Sequence, residues 1–480
     1  MNLPDYLASG EAARLIPVTA DSNKEARAAS ILLATLTAVP PYQRVMLGSL
    51  GLRIGVRANL DCYTEITLKK DSTKSKSRPD GLIHLETSRT HIWTCFVEAK
   101  IKNATIEKGQ IERYLDLAKE NNISAVLTIS NEFVASPAHS PIQLPKSSLK
   151  NIQLFHWSWM YALTQAMLLL NDEQFVHPEQ RFILAEMVRY FSHHSIGIST
   201  FDRMNPEWKD LIVKAQSGAA LAKTELDVEN SVAAWHQEVR DLCLLLTRKL
   251  NRPVKIRMSK SHIDDPLLRL RDDSKQLAEE HKLTCSFEVP DAAAPIEVTA
   301  DILRRSLIVS ISLSAPKDKQ KTTSRVNWVV RQLSKAVPDS IYVKAIWPGR
   351  AQDTQEKLEN LRNDIYLIDA DHKSLLPTTI EVMLVKDMAG KFSGSKTFIE
   401  QLEETVPYFY QQVGQYLRPY IAHPPKIKQK NEELDENRTE LDKFSKGAQE
   451  ASTVASDDIH DLSTPENNNI SSSEDIDEQT

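Results

Sequence analysis

Three short apolar runs follow one another in the first hundred residues, and they constrain the fold more than any other feature of the chain. Leu60–Leu68, Gly81–Glu86 and His91–Glu98 are rich in Ile, Val, Thr and aromatic residues and are bounded by polar or Pro/Gly clusters. This pattern predicts three consecutive antiparallel strands. Only Thr87–Thr90 separates the last two runs, so they are expected to form a tight hairpin centred near Arg89.

The hairpin is expected to bring together residues at its open end. Because partner numbers in an antiparallel hairpin have a constant sum, a turn centred near Arg89 places Asp80 opposite Glu98. Lys100 lies two residues beyond Glu98 and shares its face, since strand side chains alternate. Two carboxylates and one lysine are therefore predicted to converge.

Two carboxylates held this close repel one another, and the arrangement is costly unless a cation lies between them. Mg²⁺, or Mn²⁺ in its place, suits such oxygen ligands, and the lack of a His/Cys ligand set argues against zinc. A bound ion of this kind lowers the pKa of a water molecule, and Lys100 would position that water or stabilise charge on a phosphate. Glu65, on the first strand, is either a third acid for a second metal ion or an exposed strand residue.

The hairpin residues also carry a family resemblance. Pro79-Asp80 and Glu98-Ala99-Lys100 resemble the motif of the PD-(D/E)XK phosphodiesterase superfamily, which includes restriction enzymes and RecB-like nucleases. The resemblance implies that Asp80 and Glu98 bind the metal ion and that the backbone carbonyl of Ala99 is a further ligand. It also implies that Lys100 assists the attacking water.

A helix predicted over Ile106–Asn121 follows the hairpin and carries Gln110 and Tyr114 on one face. This pair resembles the Gln-x-x-x-Tyr element of RecB-like nucleases, which implies a catalytic role beside the site and contact with nucleic acid. The alternative is an ordinary amphipathic helix surface.

The elements around the hairpin predict the fold class. An apolar helix opened by the capping-box pair Ser22 and Glu25 precedes it, and the cap explains Glu25 without a metal ion. Strands at Ala125–Ile129 and Ile152–Phe155 follow, and the second leads into a helix through Trp159. This order predicts an α/β, restriction-endonuclease-like mixed sheet flanked by helices.

A basic loop leads into Asp80. It carries Lys69, Lys70, Lys74, Lys76 and Arg78. Such a run is either solvated surface or a phosphate-binding mouth to the site, and in the second case affinity for nucleic acid would depend on salt.

The predicted domains are a nuclease-like domain at 1–170, a helical connector at 171–227, an α+β domain of unassigned role at 228–425 and a disordered acidic tail at 426–480. The last fifty residues hold fifteen Asp or Glu and three Lys or Arg, a charge of −12 against −6 for the whole chain, which leaves +6 for residues 1–430. This mildly basic body permits nucleic-acid binding.

Together these features predict a cytoplasmic, Mg²⁺-dependent nuclease. The family resemblance implies that DNA is a more likely substrate than RNA, and it implies a role in bacterial defence or repair. No apolar stretch approaches the length of a membrane span. The C-terminal domain is expected to select substrate, to form a homo-oligomer or to bind a partner protein. The alternative is a catalytically inactive nucleic-acid-binding or scaffold protein that keeps the nuclease fold.

Overall fold

Two β-sheets with surrounding helices make up the described part of the chain, a mixed α/β architecture. A computed structural model describes residues 3–17, 23–70, 78–88, 91–145, 147–337, 339–369 and 375–422. The predicted acidic tail lies outside these residues. No helix among them is long and apolar enough to cross a membrane.

The first sheet has six strands whose order in space follows their order in the chain. They are β1 (Leu7–Ala12), β2 (Asn59–Leu68), β3 (Gly81–Ser88), β4 (His91–Ala99), β5 (Ala125–Ser130) and β6 (Gln153–Ser158). The first four pair antiparallel, whereas β4, β5 and β6 pair parallel, so the sheet is mixed as the sequence predicts. β1 was not predicted, because its sequence consists mainly of small residues and has only one fully buried side chain.

Five helices accompany this sheet: α1 (Lys24–Ala38), α2 (Pro40–Gly48), α3 (Lys108–Glu120), α4 (Trp159–Leu170) and α5 (Pro178–Phe191). One face of the sheet, with Ile83 and Val97, packs in a core shared with α1, α4 and α5. The opposite face, with Leu82 and Phe96, packs against α3. Because side chains alternate, Glu98 lies on the α3 side.

The register of the β3–β4 hairpin is the predicted one. Gly81 pairs with Val97 and Glu86 pairs with Ile92, and the ladder is regular between these pairs. The next position along this register places Asp80 opposite Glu98. The irregularity lies at the other end, between Glu86 and Ser88, and part of the turn lies outside the described residues.

The second half of the chain contains a seven-stranded antiparallel sheet in the order β12-β11-β13-β10-β9-β8-β7. Its elements are α6 (Trp208–Gln216), α7 (Leu226–Leu250), β7 (Lys255–Ile256), α8 (Lys260–Asp264), α9 (Pro266–Glu280), β8 (Lys282–Glu288), β9 (Ile296–Asp301), β10 (Ser306–Ser314), α10 (Thr322–Gln332), β11 (Ile341–Ile346), β12 (Thr354–Lys357), α11 (Leu358–Asn363), β13 (Thr379–Asp387) and α12 (Ser395–Phe409). This sheet has its own hydrophobic core, which runs from Met204 to Leu417. Contacts join Met1–Ala422 into one unit, and the predicted boundaries within it stay a prediction.

Candidate active site

The site is built where the hairpin ends. Glu98 lies near the end of β4 with only 2% of its surface exposed, and Asp80 comes directly before β3. Oδ2 of Asp80 accepts a hydrogen bond from the backbone amide of Ala99 at 2.8 Å. This bond crosses the hairpin and holds the Asp80 carboxyl at the level of Glu98. The strands therefore fix both acids in position.

Gly81 allows the backbone beside Asp80 to lie close to α1. A Cβ atom at this position would collide with the side chain of Leu33 and would lie 3.2 Å from the backbone oxygen of Tyr63. A side chain at this position would force Leu33 to move and would crowd the Tyr63 carbonyl, so glycine favours the approach. This preference explains why a glycine follows the acid.

Electrostatics at the hairpin end favour a proton or a cation between the two acids. Burial and then the repulsion from Glu98 raise the pKa of Asp80 to about 7, although the Ala99 amide and the charge of Lys100 oppose the shift. A carboxyl that ionises only near neutral pH lies in surroundings that disfavour its charged form. A positive charge added between the acids would remove that cost.

Glu98 receives three hydrogen bonds from side chains. Oε1 accepts from Nζ of Lys100 at 2.6 Å and from Nε2 of Gln110 at 2.7 Å, and Oε2 lies 2.9 Å from the hydroxyl of Tyr114. Gln110 and Tyr114 are one helical turn apart on α3 and are also bonded to each other at 2.9 Å. The structure thus brings both predicted helix residues to the site.

Lys100 is held through its backbone as well as its side chain. Its amide donates to the carbonyl of Ile129 at 2.8 Å, and its carbonyl accepts from Nε1 of Trp159 at 2.7 Å. Burial acts to lower the pKa of Lys100, but the hydrogen bond and charge of Glu98 outweigh it, so this pKa is raised. Lys100 therefore carries a positive charge beside the two acids.

Glu25 is a third acid at the site, and the sequence interpretation of this residue does not match the structure. Asn23 caps α1, with its side chain accepting from the amide of Ala26, while Ser22 lies outside the described residues. Oε1 of Glu25 accepts from the amide of Ile101 at 3.3 Å, and Oε2 lies 3.9 Å from Nζ of Lys100. An acid in a first helical turn is so common that the sequence offers no sign of this contact.

Glu65 follows the Thr64–Gly81 pair that ends the β2–β3 ladder, on the side where Asp80 precedes Gly81. Its side chain is exposed, and its backbone adopts a left-handed conformation with φ of 51° within β2. Its role as a metal ligand stays a prediction.

The basic loop begins and ends near the site. Lys69 and Lys70 are exposed and follow β2 at the end of the sheet where Asp80 lies. The side chain of Arg78 is exposed, and its carbonyl oxygen lies 2.9 Å from the Tyr114 hydroxyl. The two remaining predicted residues, Lys74 and Lys76, lie outside the described residues.

The donors at the hairpin end suit a hard divalent cation. Asp80 and Glu98 offer carboxylate oxygens only, and Mg²⁺ is typically bound by one or two carboxylates with water and substrate oxygens. No group of three or more His, Cys, Asp or Glu side chains in the described part of the chain is arranged to hold a metal ion, so the two carboxylates would be its side-chain ligands. The predicted carbonyl ligand, Ala99, lies between Glu98 and Lys100. Comparisons of the chain with protein-family models, curated proteins and solved structures gave no match.

Proposed function

We propose that this chain is a metal-dependent nuclease of the PD-(D/E)XK type with a restriction-endonuclease-like first half. It would use Mg²⁺ or Mn²⁺ to hydrolyse phosphodiester bonds, with DNA as the favoured substrate and bacterial defence or repair as the setting. One observation carries the proposal. Asp80 and Glu98 are held against each other across the β3–β4 hairpin, and the pKa of Asp80 rises to about 7 as a result of burial and this repulsion.

Each residue of the site has a distinct role in this proposal. Asp80 and Glu98 would hold the ion, which supplies charge neutralisation at a phosphate and a water molecule of lowered pKa. Glu98 raises the pKa of Lys100, so Lys100 would act on the phosphate as a positive charge. Gln110 and Tyr114 orient the Glu98 carboxylate through direct hydrogen bonds.

The first half thus carries the chemistry, and the second half would decide what it acts on. The antiparallel sheet has a separate core and contributes no side chain to the hydrogen bonds around Asp80 and Glu98 among the described residues. Substrate selection, homo-oligomerisation or binding of a partner protein are the roles proposed for it.

Metal binding is the direct test of the proposal. Calorimetric titration of the full chain with Mg²⁺ or Mn²⁺ should show binding that Asp80→Asn abolishes. Plasmid and single-stranded DNA should be cleaved only with the metal, and Lys100→Ala should remove cleavage. The matched controls are Asp116→Asn and Lys119→Ala, which change an exposed ion pair of 3.1 Å on α3. Equal metal binding in the wild-type chain and Asp80→Asn would overturn the assignment.

A second candidate function follows from the hydrogen bonds to Glu98. Because Lys100, Gln110 and Tyr114 already hydrogen-bond to this buried carboxylate, Glu98 has partners without a metal ion. Such an arrangement is what a catalytically inactive, nucleic-acid-binding scaffold of the same fold requires. Nucleic-acid binding without metal binding would select this candidate.

A further inference from the structure

A short segment beyond α5 lies against the loop that carries Lys100. This segment, His193–Ser199, contains one 3₁₀ turn at His194–Ile196. The amide of Lys102 donates to the carbonyl of Gly197 at 2.8 Å. Lys102 is two residues beyond Lys100, a separation of at most about 7 Å between their Cα atoms.

Asn131, which directly follows β5, stabilises the contact between Lys102 and Gly197. Its Nδ2 donates to the carbonyls of Lys102 and Gly197 at 3.0 and 2.8 Å, and its Oδ1 accepts from the amide of Ser199 at 3.2 Å. Gly197 has φ of 91°, and a Cβ atom there would collide with the side chain of Lys102. The close approach therefore depends on glycine.

The segment is also tied to α1 on the other side of the site. Nζ of Lys24 donates to the carbonyl of Ser195 at 2.6 Å. Lys24 directly precedes Glu25, whose carboxylate reaches Ile101 and lies 3.9 Å from Nζ of Lys100. The His193–Ser199 segment thus borders the candidate active site through two independent contacts.

Two histidine rings stand exposed on this segment. The rings of His193 and His194 have centroids 4.6 Å apart and planes inclined by 31°, and both side chains are exposed. Nδ1 of His193 accepts from the amide of Ser195 at 3.3 Å and lies 2.8 Å from its Oγ, so the ring is oriented by its own loop. The exposed rings offer flat surfaces for stacking, and hydrogen bonds orient the His193 ring.

The charges around the rings match a phosphate backbone. Lys24 is held at the segment by its hydrogen bond to Ser195, and the exposed Lys102 lies against Gly197. A surface that combines lysines with flat rings suits a single nucleic-acid strand, whose phosphates contact the cations while its bases stack. Bases within a duplex are already stacked on each other and present no free face.

We propose that His193 and His194 form a base-stacking platform for a single-stranded stretch of nucleic acid beside the candidate active site. This proposal deepens the proposed nuclease function and rests on it for the identity of the ligand. It assigns a substrate contact to residues that do not touch Asp80 or Glu98. The double variant His193→Ala/His194→Ala removes both rings and leaves the acids unchanged.

The test measures binding without cleavage. Fluorescence anisotropy with a labelled single-stranded DNA oligonucleotide and the full chain in EDTA should show that the double variant binds at least about fivefold more weakly, the loss expected for one stacked base. The control is His177→Ala, an exposed histidine before the other end of α5, roughly 21 Å away along that helix. It should bind like the wild-type chain. Binding of a duplex of the same sequence should change by less than about twofold in the double variant.

A second variant addresses the case in which the loop changes its conformation when the two rings are removed. Gly197→Ala keeps both histidines but displaces the segment from Lys102, and it should weaken single-strand binding as well. Unchanged affinity in both variants, an equal loss on duplex, or no binding by the wild-type chain would overturn the platform. If the wild-type chain neither binds metal nor cleaves DNA, but its affinity for the single strand still depends on the two rings, the nuclease function is overturned and the stacking platform is not.

Discussion

Replacing Asp80 with asparagine should make the metal-free protein more stable at alkaline pH. In the folded chain the pKa of Asp80 is about 7, against an ordinary value of 3.8. Each unit of this difference corresponds to about 1.4 kcal/mol, so ionised Asp80 costs the folded state about 4 kcal/mol. Asparagine carries no charge, and its side-chain oxygen is still able to accept from the Ala99 amide.

The sign of the pH dependence follows from proton linkage. Between pH 3.8 and about 7 the folded state binds the Asp80 proton more tightly than the unfolded state does, so ionisation lowers the stability of the wild-type chain as pH rises. The advantage of Asp80→Asn should be small near pH 4 and should reach its full value above pH 7. Between pH 5 and pH 8 it should grow by about 2–3 kcal/mol.

Urea unfolding in EDTA at these two pH values measures the effect. The control is Asp116→Asn, which removes an exposed acid on α3 and should change stability by less than about 0.5 kcal/mol at both pH values. An Asp80→Asn advantage that stays constant or shrinks as pH rises would refute the argument that the two acids are forced together. The measurement needs no metal ion, so it tests the geometry separately from the nuclease proposal.

Three further substitutions probe the packing and the buried acids. Gly81→Ala should destabilise the chain by about 1–3 kcal/mol, because its Cβ collides with Leu33, and urea unfolding measures this loss. Tyr114→Phe should cost about 1–2 kcal/mol in the same assay and should lower metal affinity by calorimetry, since Glu98 loses one donor. Glu238→Met should raise the thermal unfolding midpoint at pH 8, because both carboxylate oxygens of Glu238 are buried without a hydrogen-bond partner in the described chain and burial raises its pKa well above the ordinary value. An unchanged or lower midpoint would contradict this last expectation.

The part of the site that the sequence predicts is the part that local geometry determines. A short turn and period-two alternation are enough to place Asp80 opposite Glu98, and the observed pairing of Gly81 with Val97 confirms that register. Helical spacing likewise places Gln110 and Tyr114 on one face of α3. Periodicity does not say whether that face meets the sheet, because the connecting loop sets the helix position.

The rest of the site depends on contacts between distant parts of the chain. Glu25 reaches Ile101 across 76 residues, and Lys24 reaches Ser195 across 171. Neither contact leaves a periodic or spacing signal, since a surface acid or lysine satisfies the same helical pattern. The local pattern therefore identifies the pair of acids that would bind a metal ion. The residues that would contact a substrate depend on which distant loops pack against the end of the hairpin. Substitutions at the acids should accordingly alter metal binding and the pH dependence of stability. Substitutions in the His193–Ser199 segment should alter the preference for single-stranded over duplex nucleic acid.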